Sequence, residues 1–169
     1  MEYHEAAAVL QSLQRHRPKL GVGTTQRMLA HLGDPQEGVA FVQIAGSNGK
    51  GSTARLLEAA LRADGHEVGV FTSPALTDFR NQIRIDGRPV RKAEVTALVE
   101  EIQPCLDRLR AEDDMPTHFE VLTALAITVM GRRDVDVGVL EVGIGGRYDA
   151  TSAVDPVASA VTSVSLEHT

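Results

Sequence analysis

The segment Gly46-Ser47-Asn48-Gly49-Lys50-Gly51-Ser52-Thr53 constrains this chain more than any other. It follows Val39-Ala40-Phe41-Val42-Gln43-Ile44-Ala45, a run rich in β-branched and aromatic residues that reads as a strand. It precedes residues 52–63, where Ala54, Leu57 and Leu61 recur at helical spacing until Asp64-Gly65 ends the run. Between a strand and a helix, the backbone amides of such a loop and the helix N-terminus surround a phosphate, and Lys50 reaches it. Lys50 would then neutralise the β- and γ-phosphates of a nucleotide, with the Ser52 or Thr53 hydroxyl facing Mg²⁺ or a phosphate oxygen. The glycines at 46, 49 and 51 depart from the Walker spacing, which needs one immediately before the lysine and another five residues earlier. The bland alternative is a loop whose glycines only permit a tight turn. Strand, lysine, Ser-Thr and helix in that order favour phosphate binding.

The rest of the pattern builds an α/β fold around this loop. Residues 67–72 read as a second strand, so 39–72 is a βαβ unit with a right-handed crossover and a parallel sheet. Ile83-Arg84-Ile85-Asp86-Gly87-Arg88 alternates across an Asp-Gly signal, which predicts a hairpin. Val95, Leu98, Val99, Ile102, Leu106 and Leu109 follow a 3.6 period that Pro104 is expected to kink or divide. Residues 117–130 form an almost wholly apolar, hence buried, helix. Residues 135–142 and 158–164 read as strands inside a parallel sheet covered on both faces. Ahead of all this, residues 1–38 read as a helical lead-in. It has a short helix over 4–13 and a second, capped by Thr24 or Thr25, through Met28, Leu29 and Leu32. The expected architecture is a three-layer P-loop domain with a mostly parallel sheet flanked by helices. Because the chain stops at His168-Thr169, immediately after a strand, that domain reads as truncated.

With 169 residues, 43% of them hydrophobic and 24% charged, the composition is that of one soluble globular domain and excludes disorder, collagen and coiled coil. Seventeen basic against 23 acidic residues give a net charge of −6, so no electrostatic attraction favours nucleic acid or an anionic membrane. No apolar run approaches the roughly 20 residues needed to span a bilayer. The lone Cys105 and the acidic start Met1-Glu2-Tyr3-His4-Glu5 fit a cytoplasmic protein.

Four further places carry candidate chemistry. Thr72-Ser73-Pro74 lies just past the second strand, at the edge where open α/β sheets place ligands, though as a bare tripeptide it is also a strand-ending turn. Glu120 interrupts an apolar helix, and a buried carboxylate must be paired, protonated or bound to metal. It equally completes a Thr-x-x-Glu capping box with Thr117, beside which His118 reads as exposed first-turn polarity. Glu141 ends a strand and runs into Gly143-Ile144-Gly145-Gly146, in a position to bind a water of the metal. Glu167-His168 repeats that geometry after the last strand. The loop 46–53, Ser73, Glu141 and His168 each follow a predicted parallel strand and should share one sheet edge. Together they form an oxygen-rich set suited to Mg²⁺ and a nucleotide.

These residues resemble the folylpolyglutamate synthases and dihydrofolate synthases, of the Mur ligase superfamily of ATP-dependent amide-forming enzymes. The resemblance is carried by Gly46-Ser47-Asn48-Gly49-Lys50-Gly51-Ser52, Thr72-Ser73-Pro74, Phe119-Glu120-Val121-Leu122-Thr123-Ala124, Leu140-Glu141-Val142-Gly143-Ile144-Gly145-Gly146-Arg147 and Leu166-Glu167-His168-Thr169. It implies that Lys50 contacts ATP phosphates, that Ser73 and Glu120 hold a first Mg²⁺, and that Glu120 and His168 reach a second. It places Asp149 near a pterin, with Phe119 beside it. Departures are Asp78-Phe79-Arg80-Asn81-Gln82-Ile83-Arg84 where the family has Arg-aromatic-x-Glu-Arg-Ile-Arg, Ser47 for threonine and Ser152 for asparagine.

On this resemblance residues 39–169 are an incomplete ATP-binding domain, lacking the carbamylated lysine and the C-terminal glutamate-binding domain. The implied reaction joins L-glutamate to dihydropteroate or to folate (poly)glutamate through an acyl phosphate, with ATP and Mg²⁺, in a monomer. Two rival readings are a nucleotide-binding fragment without turnover and a Mur-type ligase acting on another carboxylate.

Overall fold

The structure, a computed structural model, describes residues 1–15, 21–75 and 78–165. Among the described residues, six strands form one sheet in the order β4-β3-β2-β5-β1-β6. They are β1 (Ala40–Ala45), β2 (Val68–Phe71), β3 (Ile83–Ile85), β4 (Arg88–Pro89), β5 (Val137–Glu141) and β6 (Ala158–Val161). Strands β2, β5, β1 and β6 are mutually parallel, and the β3–β4 hairpin runs antiparallel at one side. The βαβ unit is present, with β5 inserted between its two strands. The hairpin turn is where the Asp-Gly signal places it, both Asp86 and Gly87 having positive φ (47° and 77°), as a two-residue turn requires.

Side-chain parity divides the core into two layers. Val68 and Val70 of β2, Val139 of β5 and Ile44 of β1 pack on Ala54, Leu57 and Leu61 of α3 (Lys50–Ala63). Phe71, Leu140 and Phe41 point the other way, into a larger core built by α5 (His118–Arg132), α4 (Lys92–Ala111), α1 (Tyr3–Ser12) and α2 (Gly23–His31). Residues 120–130 of α5 are all buried, which is why its sequence is apolar on every side. The lead-in helices contribute Ala6, Leu10, Met28 and Leu29 to this same core.

Four local expectations give way. Pro104 does not divide α4, which stays continuous because both halves bury one stripe, from Val95 through Ile102 to Leu109. Neither Thr24 nor Thr25 caps α2, which begins at Gly23 with no side-chain cap; Thr25 is buried, and Thr24 Oγ1 donates instead to Asp114 Oδ2 at 3.2 Å. Strand β6 is not covered on both faces, since all four of its residues are exposed at the sheet edge beside β1. His118 is half-buried rather than exposed, its Nδ1 lying 2.8 Å from the Leu10 carbonyl oxygen, and burial holds its pKa below the usual histidine range. Among the described residues no helix is long and apolar enough to cross a membrane.

Candidate functional site

The parallel strands end together, so the loops that follow them meet on one edge. Helix α3 starts at Lys50, two residues ahead of the expected Ser52. Its N-cap is Gly49 at φ 81°, a left-handed conformation that glycine adopts without strain. No side chain caps α3, which leaves the amides of its first turn open to an anion. Lys50 Nζ folds back over the loop and donates to the Gly46 carbonyl oxygen at 2.8 Å. Gly46 itself has no room for a side chain: a Cβ there would stand 2.0 Å from Thr162 Oγ1. Ser47 is held by the segment after β6, its amide donating to the Ser163 carbonyl at 2.7 Å and its Oγ accepting from the Ser165 amide at 2.9 Å. Asn48, Gly49 and Ser52 are exposed, Gly51 and Thr53 half-buried, and the Thr53 amide closes the first helical bond onto the Gly49 carbonyl.

Ser73 and Glu141 come together beside this loop. The Ser73 amide donates to Glu141 Oε2 at 3.0 Å. A Cβ on Gly51 would lie 3.3 Å from the same oxygen, so the glycine lets α3 approach the carboxylate. Burial pushes the Glu141 pKa up, opposed by the Ser73 amide and by the positive charges of Lys50 and Arg55. A cavity of about 550 Å³ opens here, lined among others by Gly51, Ser52, Ser73 and Glu141. A buried carboxylate with a hydroxyl and a phosphate loop alongside is a donor set that fits Mg²⁺, which takes one or two carboxylates plus substrate phosphates. Among the described residues no group of three or more His, Cys, Asp and Glu gathers as a metal site.

Glu120, at the start of α5, has its two carboxylate oxygens in different surroundings. Its Oε2 accepts from the Thr117 amide at 2.7 Å and from Thr117 Oγ1 at 2.9 Å, while the Glu120 amide donates back to Thr117 Oγ1 at 3.2 Å. This is the capping box in full, and it occupies one of the two carboxylate oxygens. Its Oε1 is buried without a hydrogen-bond partner. His168, the other expected metal residue, lies with Glu167 outside the described residues.

Phe119 and Asp149 meet at Gly143. A Cβ on that glycine would be 2.8 Å from Phe119 Cζ and 3.1 Å from Asp149 Oδ2. Phe119 also packs on Phe71, ring centroids 5.6 Å apart, and lines a second cavity of about 670 Å³ with Ser73, His118 and Phe79. Asp149 is buried and its carboxylate is saturated by its own loop. Oδ2 accepts from the Gly143 and Ile144 amides, Oδ1 from the Thr151 amide and hydroxyl, at 2.6–3.0 Å.

Two residues of the first cavity, Arg55 and Arg84, escaped the sequence reading. Arg55 is four residues from Gly51 and so lies on the same face of α3, a signal that was legible. Arg84 is in the predicted hairpin, and only the pairing of Val70 with Arg84 shows that the hairpin flanks β2.

No protein-family model matches the chain. It is 56% identical over 169 residues to a Haloferax volcanii protein described as a probable bifunctional folylpolyglutamate synthase/dihydropteroate synthase, covering 100% of this chain and 20% of that protein. It is 34% identical over 168 residues to the Bacillus subtilis dihydrofolate synthase/folylpolyglutamate synthase, covering 98% of this chain and 39% of that one. The solved structure of Escherichia coli FolC in complex with DHPP and ADP superposes with a TM-score of 0.85 at 32% identity, over 99% of this chain and 39% of that one. The chain thus spans between a fifth and two fifths of the length of these relatives. Close identity along the whole chain, together with the fold, makes it a member of the folylpolyglutamate synthase/dihydrofolate synthase family.

Proposed function

We propose that this chain is the phosphate- and metal-holding part of an ATP-dependent ligase that joins L-glutamate to dihydropteroate or to a folate (poly)glutamate. The observation that carries the reading is the meeting of the Lys50 loop with the Ser73–Glu141 pair on one sheet edge. Lys50 and the open amides of α3 hold the ATP phosphates, Lys50 exchanging the Gly46 carbonyl for phosphate oxygens. Ser73 and Glu120 would hold Mg²⁺, Glu120 through the Oε1 that its capping box leaves without a partner, Glu141 would bind a water of the ion, and Glu120 with His168 would reach a second metal. When bound, the ion screens the charge that builds on the transferred phosphoryl group.

In the proposed reaction an oxygen of the substrate carboxylate bonds to the γ-phosphorus of ATP as the bond to the β-phosphate oxygen breaks, releasing ADP and leaving an acyl phosphate. The amine of glutamate then bonds to the acyl carbon, inorganic phosphate leaves, and the amine proton passes to solvent. Positioning and charge neutralisation carry such a reaction, which needs no covalent intermediate on the protein. Glutamate recognition is assigned to a further domain, the acting protein to a monomer in the cytoplasm, and residues 39–169 to part of its ATP-binding domain. The native-length protein, given Mg-ATP, L-glutamate and either dihydropteroate or a reduced folate, should release ADP and yield an acid heavier by one glutamyl residue. ADP release without either product, or no ADP at all, contradicts the proposal.

A further inference from the structure

The cavity that holds Ser73 and Glu141 continues to Arg55 and Arg84, two cations that the phosphate and metal roles leave unused. Arg55 Nη1 donates to Glu58 Oε2 at 3.2 Å, and its Nη2 reaches the Asn81 carbonyl at 3.5 Å. Arg84 Nη2 donates to the Gly87 carbonyl, while its Nε is buried without a hydrogen-bond partner. Burial and the positive charges of Arg55 and Arg62 hold the Arg84 guanidinium below the usual arginine range, opposed by Glu58. Arg55 and the exposed Arg62 thus both bear on the half-buried Arg84, opposed by two buried carboxylates, Glu58 and, on the Arg55 side, Glu141. Like charges only partly in contact with water repel unless an anion joins them, and a planar guanidinium fork matches a carboxylate.

We propose that Arg55 and Arg84 form the subsite that receives a carboxylate of the acid substrate, setting the substrate's reacting end beside Ser73 and Glu141. This rests on the ligase reading above and adds to it a specificity-determining pair. The pair is separate from the phosphate loop in sequence, one residue coming from the second turn of α3 and the other from β3. It therefore predicts a loss of acid affinity that leaves nucleotide affinity intact.

The test reads the Nε–H resonances of Arg55 and Arg84 and the backbone amides of residues 49–53 by ¹⁵N NMR. The chain is titrated separately with p-aminobenzoyl-L-glutamate, Mg-ADP and a non-hydrolysable Mg-ATP analogue. Saturable shifts of both arginines with p-aminobenzoyl-L-glutamate are expected. Arg84→Gln and Arg55→Gln should each weaken that binding about tenfold or more, the scale of one charge-assisted hydrogen bond, with the nucleotide-induced loop shifts preserved. The wild-type titration stands even if one variant fails to fold. No saturable arginine shift with the glutamyl probe overturns the proposal. Arginine shifts that follow the ATP analogue but not ADP also overturn it, assigning the pair to the γ-phosphate. Silent loop amides with responding arginines would instead break the nucleotide reading while the carboxylate subsite stood.

Discussion

The Ser73 amide donates to Glu141 Oε2 at 3.0 Å, joining residues 68 apart in sequence. The contact follows from the register. Phe71 of β2 pairs with Leu140 of β5, so the residues just past β2 and at the end of β5 reach the same edge side by side. A carboxylate placed there faces α3 across Gly51, which has no side chain to fill the gap.

Glu141→Gln should therefore weaken Mg²⁺-dependent nucleotide binding by about 10- to 100-fold, the range of losing one charged contact, while keeping an acceptor for the Ser73 amide. Glu120→Gln keeps an acceptor in the capping box and should also weaken Mg²⁺-dependent binding about tenfold or more, whereas Glu120→Ala should in addition cost about 1 kcal/mol of stability. Isothermal titrations with Mg-ATP at several Mg²⁺ concentrations, beside urea denaturation, check both. No Mg²⁺ defect in either Gln variant would contradict the assignment.

The raised pKa of Glu141 sets a pH dependence. A carboxyl group held above its unfolded value favours folding while protonated, and that contribution is lost as pH rises through the folded pKa. Glu141→Gln should therefore raise Tm at pH 7, with the gain shrinking towards acid pH. Conversely, Mg²⁺ competes with the proton on Glu141. Its affinity in the nucleotide complex should begin to fall at a pH above the ordinary carboxylate range, and this dependence should vanish in Glu141→Gln. Thermal melts and Mg²⁺ titrations from pH 4 to 8, on the order of the carboxylate range and above it, read both effects.

Asp149 ties the loop after β5 to the turn Ala150–Ala153 with four hydrogen bonds to its carboxylate. Removing them in Asp149→Ala leaves buried amides without partners and should destabilise the chain by about 3 kcal/mol in urea. A variant with unchanged stability but lost pterin binding would make Asp149 a ligand contact instead.

Much of this was legible in the sequence because period and punctuation agree there. The β1 to α3 transition, the Asp86-Gly87 hairpin and the buried α5 each carry their own local signal. Glu120 was ambiguous in sequence, because Thr117-x-x-Glu satisfies both a capping box and a buried-ligand pattern, and only atomic positions show that the box takes Oε2 and leaves Oε1 without a partner. The partner of Ser73 was hidden for a different reason. Which strand lies beside β2 is a matter of sheet order, and β5 enters between β1 and β2 without any mark in the intervening residues. The exposure of β6 was equally unreadable, since an apolar strand looks the same at an edge as in the middle of a sheet.

The lead-in helices, set apart by their sequence, share the main core. Leu10 is buried among that core, and the Leu10 carbonyl meets His118 at the start of α5. Leu10→Ala should therefore lower stability by about 2–5 kcal/mol, as for other deeply buried leucines. Equilibrium denaturation measures it, and a loss under about 1 kcal/mol would mean that α1 is only loosely attached.

The central claim, that the Lys50 loop and the Ser73–Glu141 edge form a Mg-nucleotide site, is tested most directly by calorimetric titration of the folded chain with Mg-ATP, beside Lys50→Ala. Circular dichroism first establishes that both fold. Saturable binding by the native chain, weakened at least about tenfold in Lys50→Ala, is the result expected from losing a charge-assisted contact to phosphate. Equal binding by the two chains, or none by the folded native chain, would contradict it.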